Sequence, residues 1–170
     1  MELVNYNYNV QKNLEQLYPS GAFLTAGHFD DANTMTIGWG SIGISWSKKT
    51  MLIMVTHSRF THHLLEKYHE FTVTFPYEDM SDKLMLVGSK SGRDHNKYEL
   101  ANLTLAEGQA IETPHIKCQG MTLECKVIFQ NEIDPDFLDP TIYEKRYSKS
   151  KDLHTIYYGE VITSYLTDNE

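Results

Sequence analysis

The sequence Asn33-Thr34-Met35-Thr36-Ile37-Gly38-Trp39-Gly40-Ser41, an apolar run from Met51 to Val55 and then Ser58-Arg59-Phe60-Thr61 form the stretch that decides the predicted fold. The first motif overlaps a predicted strand, 34–39. The apolar run has no polar break, which is typical of a strand covered on both faces, here 50–56. The last motif opens a short helix whose apolar residues share one face. The stretch therefore predicts strands leading into a helix, with polar side chains at both ends.

Strand patterns recur on both sides of this stretch. Predicted strands cover 22–29, 42–46, 70–75, 122–132 and 156–166, and 122–132 alternates as a half-exposed strand does. Only short helices lie between them, one from its expected cap Ser81 to its expected end Gly88, and one over 94–101 with Lys97 in its first turn. Since a parallel sheet needs regular helical crossovers, we expect a mainly β fold, a closed or split antiparallel β-barrel with a few short helices.

The length of 170 residues favours a single domain over 1–170. A turn at Tyr18-Pro19-Ser20-Gly21 separates an N-terminal arm, 1–20, from the first strand. Asp134-Pro135-Asp136 and Asp139-Pro140 mark an excursion before the last strand. The polar residues 145–151 that follow are expected to form a mobile loop.

Composition restricts the classes of partner. Hydrophobic residues make up 41% and charged residues 22% of the chain, as in ordinary soluble proteins, and no stretch reaches the ~18 apolar residues of a membrane helix. Residues 1–9 lack the basic start and apolar run of a signal peptide, so we expect a cytoplasmic protein that does not bind membranes. The net charge of −8 argues against a nucleic-acid surface. An anionic ligand must therefore be bound by a local group of donors.

Cysteine and histidine usage indicates neither disulfides nor a metal site. Cys118 and Cys125 do not form a disulfide framework, and Cys125 is expected as a buried apolar thiol; we assign no redox role to either. His62 and His63 are the most clustered of the eight histidines, but adjacent residues cannot share a helix face as metal ligands do. We expect no metal.

Two separate groups of phosphate-type donors stand out. Arg59 is flanked by Ser58 and Thr61 at the start of a helix, where unpaired backbone N–H groups and the helix dipole favour an anion. A second group runs from Ser89 to Asp94 and includes Lys97. With the small polar side chains beside Trp39, they suit a ligand with a flat polar ring and a phosphate. The alternatives are helix capping by Ser58 or Thr61, a solvated charged loop, and a buried barrel position for Trp39.

Gly38-Trp39-Gly40-Ser41-Ile42-Gly43 matches the G-x-G-x-x-G pattern of dinucleotide-binding folds. That pattern requires a helix directly after the glycines, so that the helix N-terminus meets the phosphates. Here Ile44-Ser45-Trp46 is predicted to stay extended, and we reject the dinucleotide interpretation. The glycines are expected to let a strand bend or approach a ligand closely.

Five motifs in order carry a resemblance to a known family. They are Asn33-x-Met35-Thr36-x-x-Trp39, Ser58-Arg59-x-Thr61, Ser91-Gly92-Arg93-Asp94-x-x-Lys97, Leu123-Glu124-Cys125 and Gly159-Glu160-Val161. Across most of its length the chain resembles the flavin reductase-like family, the FMN-binding split barrels that include flavoredoxin. The resemblance implies a homodimer of split barrels, each of which binds FMN without a covalent link near the subunit interface.

The resemblance also implies which residues bind the flavin. It implies that the segment Asn33–Ser41 lines the isoalloxazine ring, through Asn33, Thr34, Met35, Thr36, Trp39 and Ser41. It implies that the ribityl chain and the phosphate are held by Ser58, Arg59, Thr61, Ser91, Gly92, Arg93 and Lys97. We assign no general acid or base, because hydride transfer between stacked rings does not require one. His154, just before the last strand, is within reach of the site, but an exposed or hydrogen-bonded role is expected.

The expected function is an NAD(P)H-dependent flavin reductase, in which NADH or NADPH passes hydride to the flavin. The alternative is an FMN-holding electron-transfer protein, like flavoredoxin, that serves a redox protein partner. A third hypothesis is a structural β-barrel whose donors only cap and solvate. The sequence does not distinguish NADH from NADPH, identify the electron acceptor, or decide whether FMN is a held cofactor or an exchanging substrate.

Overall fold

The computed structural model describes residues 1–168 and is mainly β. Its strands are β1 (Glu2–Leu3), β2 (Ala22–Ala26), β3 (Asn33–Ile37), β4 (Gly40–Ser45), β5 (Lys48–Thr56), β6 (Glu70–Pro76), β7 (Leu105–Ala106), β8 (His115–Ile116), β9 (Gly120–Glu132) and β10 (His154–Thr167). Its α-helices are α1 (Val10–Glu15), α2 (Phe60–Tyr68), α3 (Ser81–Ser89), α4 (Lys97–Leu100) and α5 (Pro140–Arg146). The last two positions of the expected single domain, 169 and 170, lie outside the described residues.

One antiparallel sheet of eight strands organises residues 1–168. Its order is β3-β2-β6-β9-β10-β5-β4, with β1 added to β10, while β7 and β8 pair separately. The end strands β3 and β4 do not pair with each other within residues 1–168, so backbone hydrogen bonds do not close a barrel there. Only Gly38 and Trp39 separate them, however, which limits the distance between the Cα atoms of Ile37 and Gly40 to about 11 Å. The sheet therefore curves until its two ends meet at Trp39.

Within the single chain, β5 is fully buried on one face only, not on both as its apolar run predicts. Met51, Ile53 and Val55 are buried in the main core, whereas Leu52 and Met54 between them are half-buried. β5 lies between β4 and β10 in the same curved sheet, and both neighbours pair with it edge to edge without lying on its outer face. An unbroken apolar run does not distinguish a strand with two covered faces from one with a single covered face.

The first half of β9 is buried on both faces, contrary to the half-exposed strand that its alternation predicts. Glu124 is fully buried, and its carboxylate accepts hydrogen bonds from the backbone N–H groups of Gln109, Ala110 and Ile111 at 2.6 to 3.2 Å. The Tyr165 hydroxyl on β10 also donates to it at 2.6 Å. The turn at 109–111 thus covers the face that the alternation assigns to solvent.

Local helix and arm predictions also need correction. Ser81 is the first residue of α3 and makes no cap, since Met80 is the capping residue and makes no side-chain hydrogen bond. Gly88 lies inside α3, where an added Cβ would lie 3.2 Å from Thr36, so the glycine permits close packing of α3 on β3. The N-terminal arm is not separate from the fold, because β1 pairs with β10 and Leu17 joins the main core.

The prediction that Cys125 is a buried apolar thiol is confirmed. Cys125 lies in the main core and Cys118 in a second apolar cluster, and burial raises the pKa of the Cys118 thiol to about 12. Buried thiols of this kind are poor nucleophiles. Within residues 1–168, no helix is both long enough and apolar enough to cross a bilayer.

Candidate functional site

A polar cavity of about 500 Å³ lies where the two ends of the sheet meet. Residues of β3 and the link to β4 form one side, the start of α2 and the segment after α3 form another, and residues after α5 complete the wall. The lining residues are Asn33, Met35, Thr36, Ile37, Gly38, Trp39, Met54, Thr56, Ser58, Arg59, Phe60, Thr61, Ser89, Lys90, Ser91, Gly92, Lys97, Arg146, Tyr147, Ser150, Asp152 and His154. Its volume is in the range of small-molecule sites.

Arg59, Lys90 and Lys97 form the cationic group of this cavity. The Lys97 ammonium is buried and donates to the carbonyl oxygens of Thr34 at 2.9 Å and Val87 at 2.8 Å. Arg59 Nη1 donates to the Gly88 carbonyl oxygen at 3.0 Å. The last carbonyl groups of a helix have no N–H partner within the helix. The carbonyl oxygens of Val87 and Gly88, near the C-terminal end of α3, can therefore accept from Lys97 and Arg59 and hold them in place.

The cationic group retains donors that its protein contacts do not use. An ammonium has three N–H donors and a guanidinium five, so one on Lys97 and four on Arg59 remain after the hydrogen bonds above. Burial lowers the pKa of Lys97 to about 8, and the nearby charge of Arg59 acts in the same direction. A bound anion would offset both effects, because it favours the charged form of the lysine. The group is therefore suited to an anion such as a phosphate.

A hydrogen bond between two predicted site residues fixes the wall beside this group. Asn33 Nδ2 donates to Thr61 Oγ1 at 2.7 Å. A Cβ built on Gly92 would lie 2.0 Å from Asn33 Oδ1, so only glycine allows the segment after α3 to approach β3 this closely. The three predicted motifs that contain these residues are thus brought into contact.

The alternative that Ser58 or Thr61 caps α2 is excluded by their partners. Arg59 is the capping residue of α2, in an extended conformation and without a side-chain cap. The Ser58 hydroxyl donates to Asp152 Oδ2 at 2.5 Å, and the Ser58 backbone N–H donates to Asp152 Oδ1 at 3.2 Å. The first turn of α2 begins at Phe60, where backbone N–H groups lack the carbonyl partners of a preceding turn, although the His62 N–H donates to the Arg59 carbonyl oxygen at 3.0 Å.

Trp39, Tyr147 and His154 form the aromatic group of the cavity. The ring centroids of Trp39 and His154 are 5.2 Å apart, and the Tyr147 hydroxyl lies 2.9 Å from His154 Nδ1. The Arg146 guanidinium lies 5.1 Å from the centre of the Trp39 ring. Burial lowers the pKa of His154 to about 4, against the opposing charge of Asp152. The imidazole is therefore neutral near pH 7.

Most of the predicted site residues line this cavity. They are Asn33, Met35, Thr36, Trp39, Ser58, Arg59, Thr61, Ser91, Gly92 and Lys97. Three others have different surroundings. The Thr34 hydroxyl contacts Thr25 Oγ1 at 2.7 Å, and Ser41 is exposed on β4. Arg93 lines a neighbouring cavity and donates from Nη1 to the Ser58 carbonyl oxygen at 2.8 Å.

The residues after α5 belong to the site, although their composition does not predict it. The segment 145–151, expected as a mobile loop, includes the end of α5 and supplies Arg146, Tyr147 and Ser150 to the cavity, and Asp152 and His154 follow directly. Tyr147 is only 3% exposed. One sequence feature did indicate α5: Asp139 caps the helix and accepts from the backbone N–H groups of the next residues, while Pro140 occupies its first position.

Comparison with known proteins yields one consistent similarity. Residues 16–170 match the model of the flavin reductase like domain. A protein of Archaeoglobus fulgidus, described only as uncharacterized, is 31% identical over 150 residues, which is 88% of this chain and 73% of that protein.

Two solved structures extend this similarity. The flavoredoxin of Methanosarcina acetivorans superposes with a TM-score of 0.65 at 26% identity, covering 88% of this chain and 69% of that one. The NADH:FAD oxidoreductase SgcE6 of Streptomyces globisporus C-1027 superposes with a TM-score of 0.66 at 21% identity, covering 98% and 87%.

Proposed function

We propose that this chain, which belongs to the flavin reductase-like family, binds FMN without a covalent link in the polar cavity and acts as an NAD(P)H-dependent flavin reductase. The observation that carries the proposal is that the cationic group and the aromatic group line the same cavity. The cationic group offers free donors for a phosphate, and the aromatic group offers flat rings for the isoalloxazine. A volume of about 500 Å³ is of the size expected for such a ligand.

The cationic group is proposed to hold the phosphate. Arg59 and Lys97 are anchored by backbone carbonyls and therefore lose little additional conformational entropy when they bind an anion. Ser91 lies on the same wall and adds a hydroxyl donor. Asp152 is the carboxylate that lines the cavity, and its hydrogen bonds from Ser58 lower its pKa despite partial burial, so it stays ionised.

The aromatic group and β3 are proposed to hold the ring. A bound flavin would supply the redox chemistry, taking hydride from NADH or NADPH and passing electrons to an acceptor. Trp39 and His154 provide flat surfaces, and the Tyr147 hydroxyl fixes the orientation of the imidazole. Because His154 is neutral near pH 7, it adds no charge beside the ring. Asn33 and Thr36 supply polar atoms along β3.

The second candidate is an FMN-holding electron-transfer protein that serves a redox protein partner. The similarity to the flavoredoxin of Methanosarcina acetivorans favours it, whereas the similarity in fold to an NADH:FAD oxidoreductase is compatible with the reductase. Both candidates require the same cavity. They differ in whether a nicotinamide reduces the bound flavin at a useful rate.

We further interpret the curved sheet as the split barrel of the family and the chain as one domain of a homodimer. The half-buried outer face of β5 and the exposed rings of Trp46 and Phe129 support this interpretation. These apolar surfaces remain accessible in the single chain. Covering them in a dimer would remove them from water.

The test begins with the visible absorption spectrum of the purified protein and the identification of any chromophore released by heat. Released FMN, followed by steady oxidation of NADH or NADPH, is the result expected for the reductase. FMN binding with negligible turnover of both nicotinamides would instead support the electron carrier. A colourless protein that also fails to bind added FMN would contradict both candidates.

A further inference from the structure

A second cavity, of about 560 Å³, shares a wall with the polar cavity. The residues common to both are Trp39, Met54, Arg146 and Tyr147. An occupant of the second cavity would therefore lie against the opposite side of the residues that face the proposed flavin. The two cavities are adjacent in space but differ in chemistry.

The second cavity is apolar over most of its surface. Ile133 and Leu138 come from the link between β9 and α5, Ile142 comes from α5, and all three line the cavity together with the shared Trp39 and Met54. Thr141 contributes the polar hydroxyl of this wall. Burial of apolar surface favours binding by roughly 25 cal/mol per Å², so these side chains suit a hydrophobic body of drug-like size. Tyr147 and Trp39 favour a flat one.

Two consecutive cations, Lys145 and Arg146, also line this cavity. Neither has a carboxylate within 4.0 Å in the part of the chain that the structure describes, in contrast to the paired Lys48, Lys67 and Lys126. Arg146 lies at the border between the cavities, 5.1 Å from the centre of the Trp39 ring. An unpaired guanidinium beside an apolar wall is complementary to a molecule that carries a carboxylate.

We propose that the second cavity binds a small organic acid with a flat apolar body, whose carboxylate pairs with Arg146. The apolar body lies against Ile142, Leu138 and the Trp39 ring. This places the acid beside the proposed flavin, across the wall that the two cavities share. Whether the acid exchanges electrons with the flavin rests on the proposed function, but its binding does not.

The binding test uses cinnamate and its uncharged counterpart cinnamamide, which have the same flat body. Calorimetry on the unmodified, flavin-free protein measures both affinities. In a Trp46→Phe background Trp39 is the only tryptophan, so quenching of its fluorescence reports binding at this wall. We expect cinnamate to bind about tenfold more tightly than cinnamamide, the effect of one charge-assisted hydrogen-bonded pair.

Three variants separate the contributions. Arg146→Gln is expected to remove the preference for cinnamate and leave cinnamamide binding unchanged. Ile142→Trp is expected to fill the cavity and weaken both ligands, and because Ile142 is 48% exposed the larger ring can be accommodated at the surface. Lys149→Gln is the matched control, since it removes a positive charge from the same segment without lining either cavity.

The outcomes distinguish this proposal from the proposed function. Cinnamate binding that Ile142→Trp abolishes, in a protein that does not bind FMN, would support the second cavity and contradict the flavin site. FMN binding without any heat or Trp39 quenching from cinnamate, in flavin-free and FMN-loaded protein alike, would overturn the proposal. It would also be overturned if Ile142→Trp converted a dimer into a monomer in sedimentation and no ligand bound, because a second copy would then cover the cavity.

Discussion

The cationic group and the aromatic group of the cavity differ in how the chain builds them. In the cationic group, Arg59 and Lys97 come from two short local motifs, each at the start of a helix, and Lys90 directly follows α3. In the aromatic group, Tyr147 and His154 meet Trp39 from more than a hundred residues away in the sequence. Residues at the start of a helix follow a local sequence pattern that can be recognised. Residues that meet only because a distant segment folds back over the site have no such pattern.

This difference has a functional counterpart. The cations are positioned by the carbonyls at the end of α3, which any chain with this local geometry would provide. The aromatic group depends on how the segment between β9 and β10 folds back over the sheet. We therefore expect the cationic group to determine whether a flavin binds, and the aromatic group to determine what the bound flavin does.

The largest effect is expected from Arg59→Ala. Loss of a bidentate charge-assisted contact should weaken FMN binding by about a hundredfold. The matched control is Arg93→Ala, because Arg93 belongs to the same predicted motif set but lines a neighbouring cavity. Its effect should stay within about threefold. Quenching of FMN fluorescence on titration measures both, and equal losses in the two variants would contradict the assignment of the phosphate to Arg59.

A second large effect concerns stability, and it extends the comparison to the core. Glu124→Gln should lower the free energy of unfolding by about 2 kcal/mol, because an amide cannot accept all the hydrogen bonds that Glu124 receives from residues 109–111 and Tyr165. Urea unfolding measures this change. Glu112→Gln, at an exposed position near the same turn, should change it by less than about 0.5 kcal/mol. FMN affinity measured well below the unfolding midpoint should be unchanged.

Glu124 also shows what the sequence could predict and what it could not. The alternation over 122–132 correctly predicted a strand, because side chains in a strand project to opposite faces. It assigned Glu124 to solvent, since a charged residue is almost never buried without partners. The partners are backbone N–H groups of a turn, which have no residue-specific pattern. Periodicity therefore identified the element, and tertiary packing decided the environment.

The same reasoning applies to the candidate site. The glycine and small polar residues of Asn33–Ser41 and Ser91–Lys97 predicted two segments of the site that the structure brings together. The segments can meet because Gly92 has no Cβ, which would otherwise clash with Asn33 Oδ1. The segment 145–151 is polar in composition, which predicts a loop. Its side chains reach the cavity only because α5, begun by Asp139 and Pro140, turns the chain back toward the sheet. The composition of segment 145–151 does not predict the direction in which α5 turns the chain.

The pH dependence of binding tests the cationic group further. The pKa of Lys97 in the free protein is about 8, and a bound phosphate should raise it. The complex then holds more protons than the free protein above about pH 8, so FMN affinity should fall as pH rises, by up to about tenfold per pH unit. Lys97→Met should remove this dependence, whereas Lys90→Met, at an exposed position of the same wall, should retain it. An affinity that does not change between about pH 7 and pH 9.5 would contradict a role for Lys97 in binding phosphate.

The smallest effect, and the one that separates the two groups most sharply, is expected from Tyr147→Phe. The variant removes the hydroxyl that contacts His154 Nδ1 and keeps the buried ring. If the aromatic group controls the reactivity of the flavin, the rate of flavin reduction by NADH or NADPH should fall by about threefold while FMN affinity stays within about twofold, since a single neutral hydrogen bond is lost. Anaerobic stopped-flow measurements give the rate.

Tyr143→Phe, one turn earlier on α5 and outside both cavities, should match the unmodified protein in both quantities. A fall in FMN affinity with an unchanged rate would instead mean that both groups act on binding, and the proposed division between them would not hold.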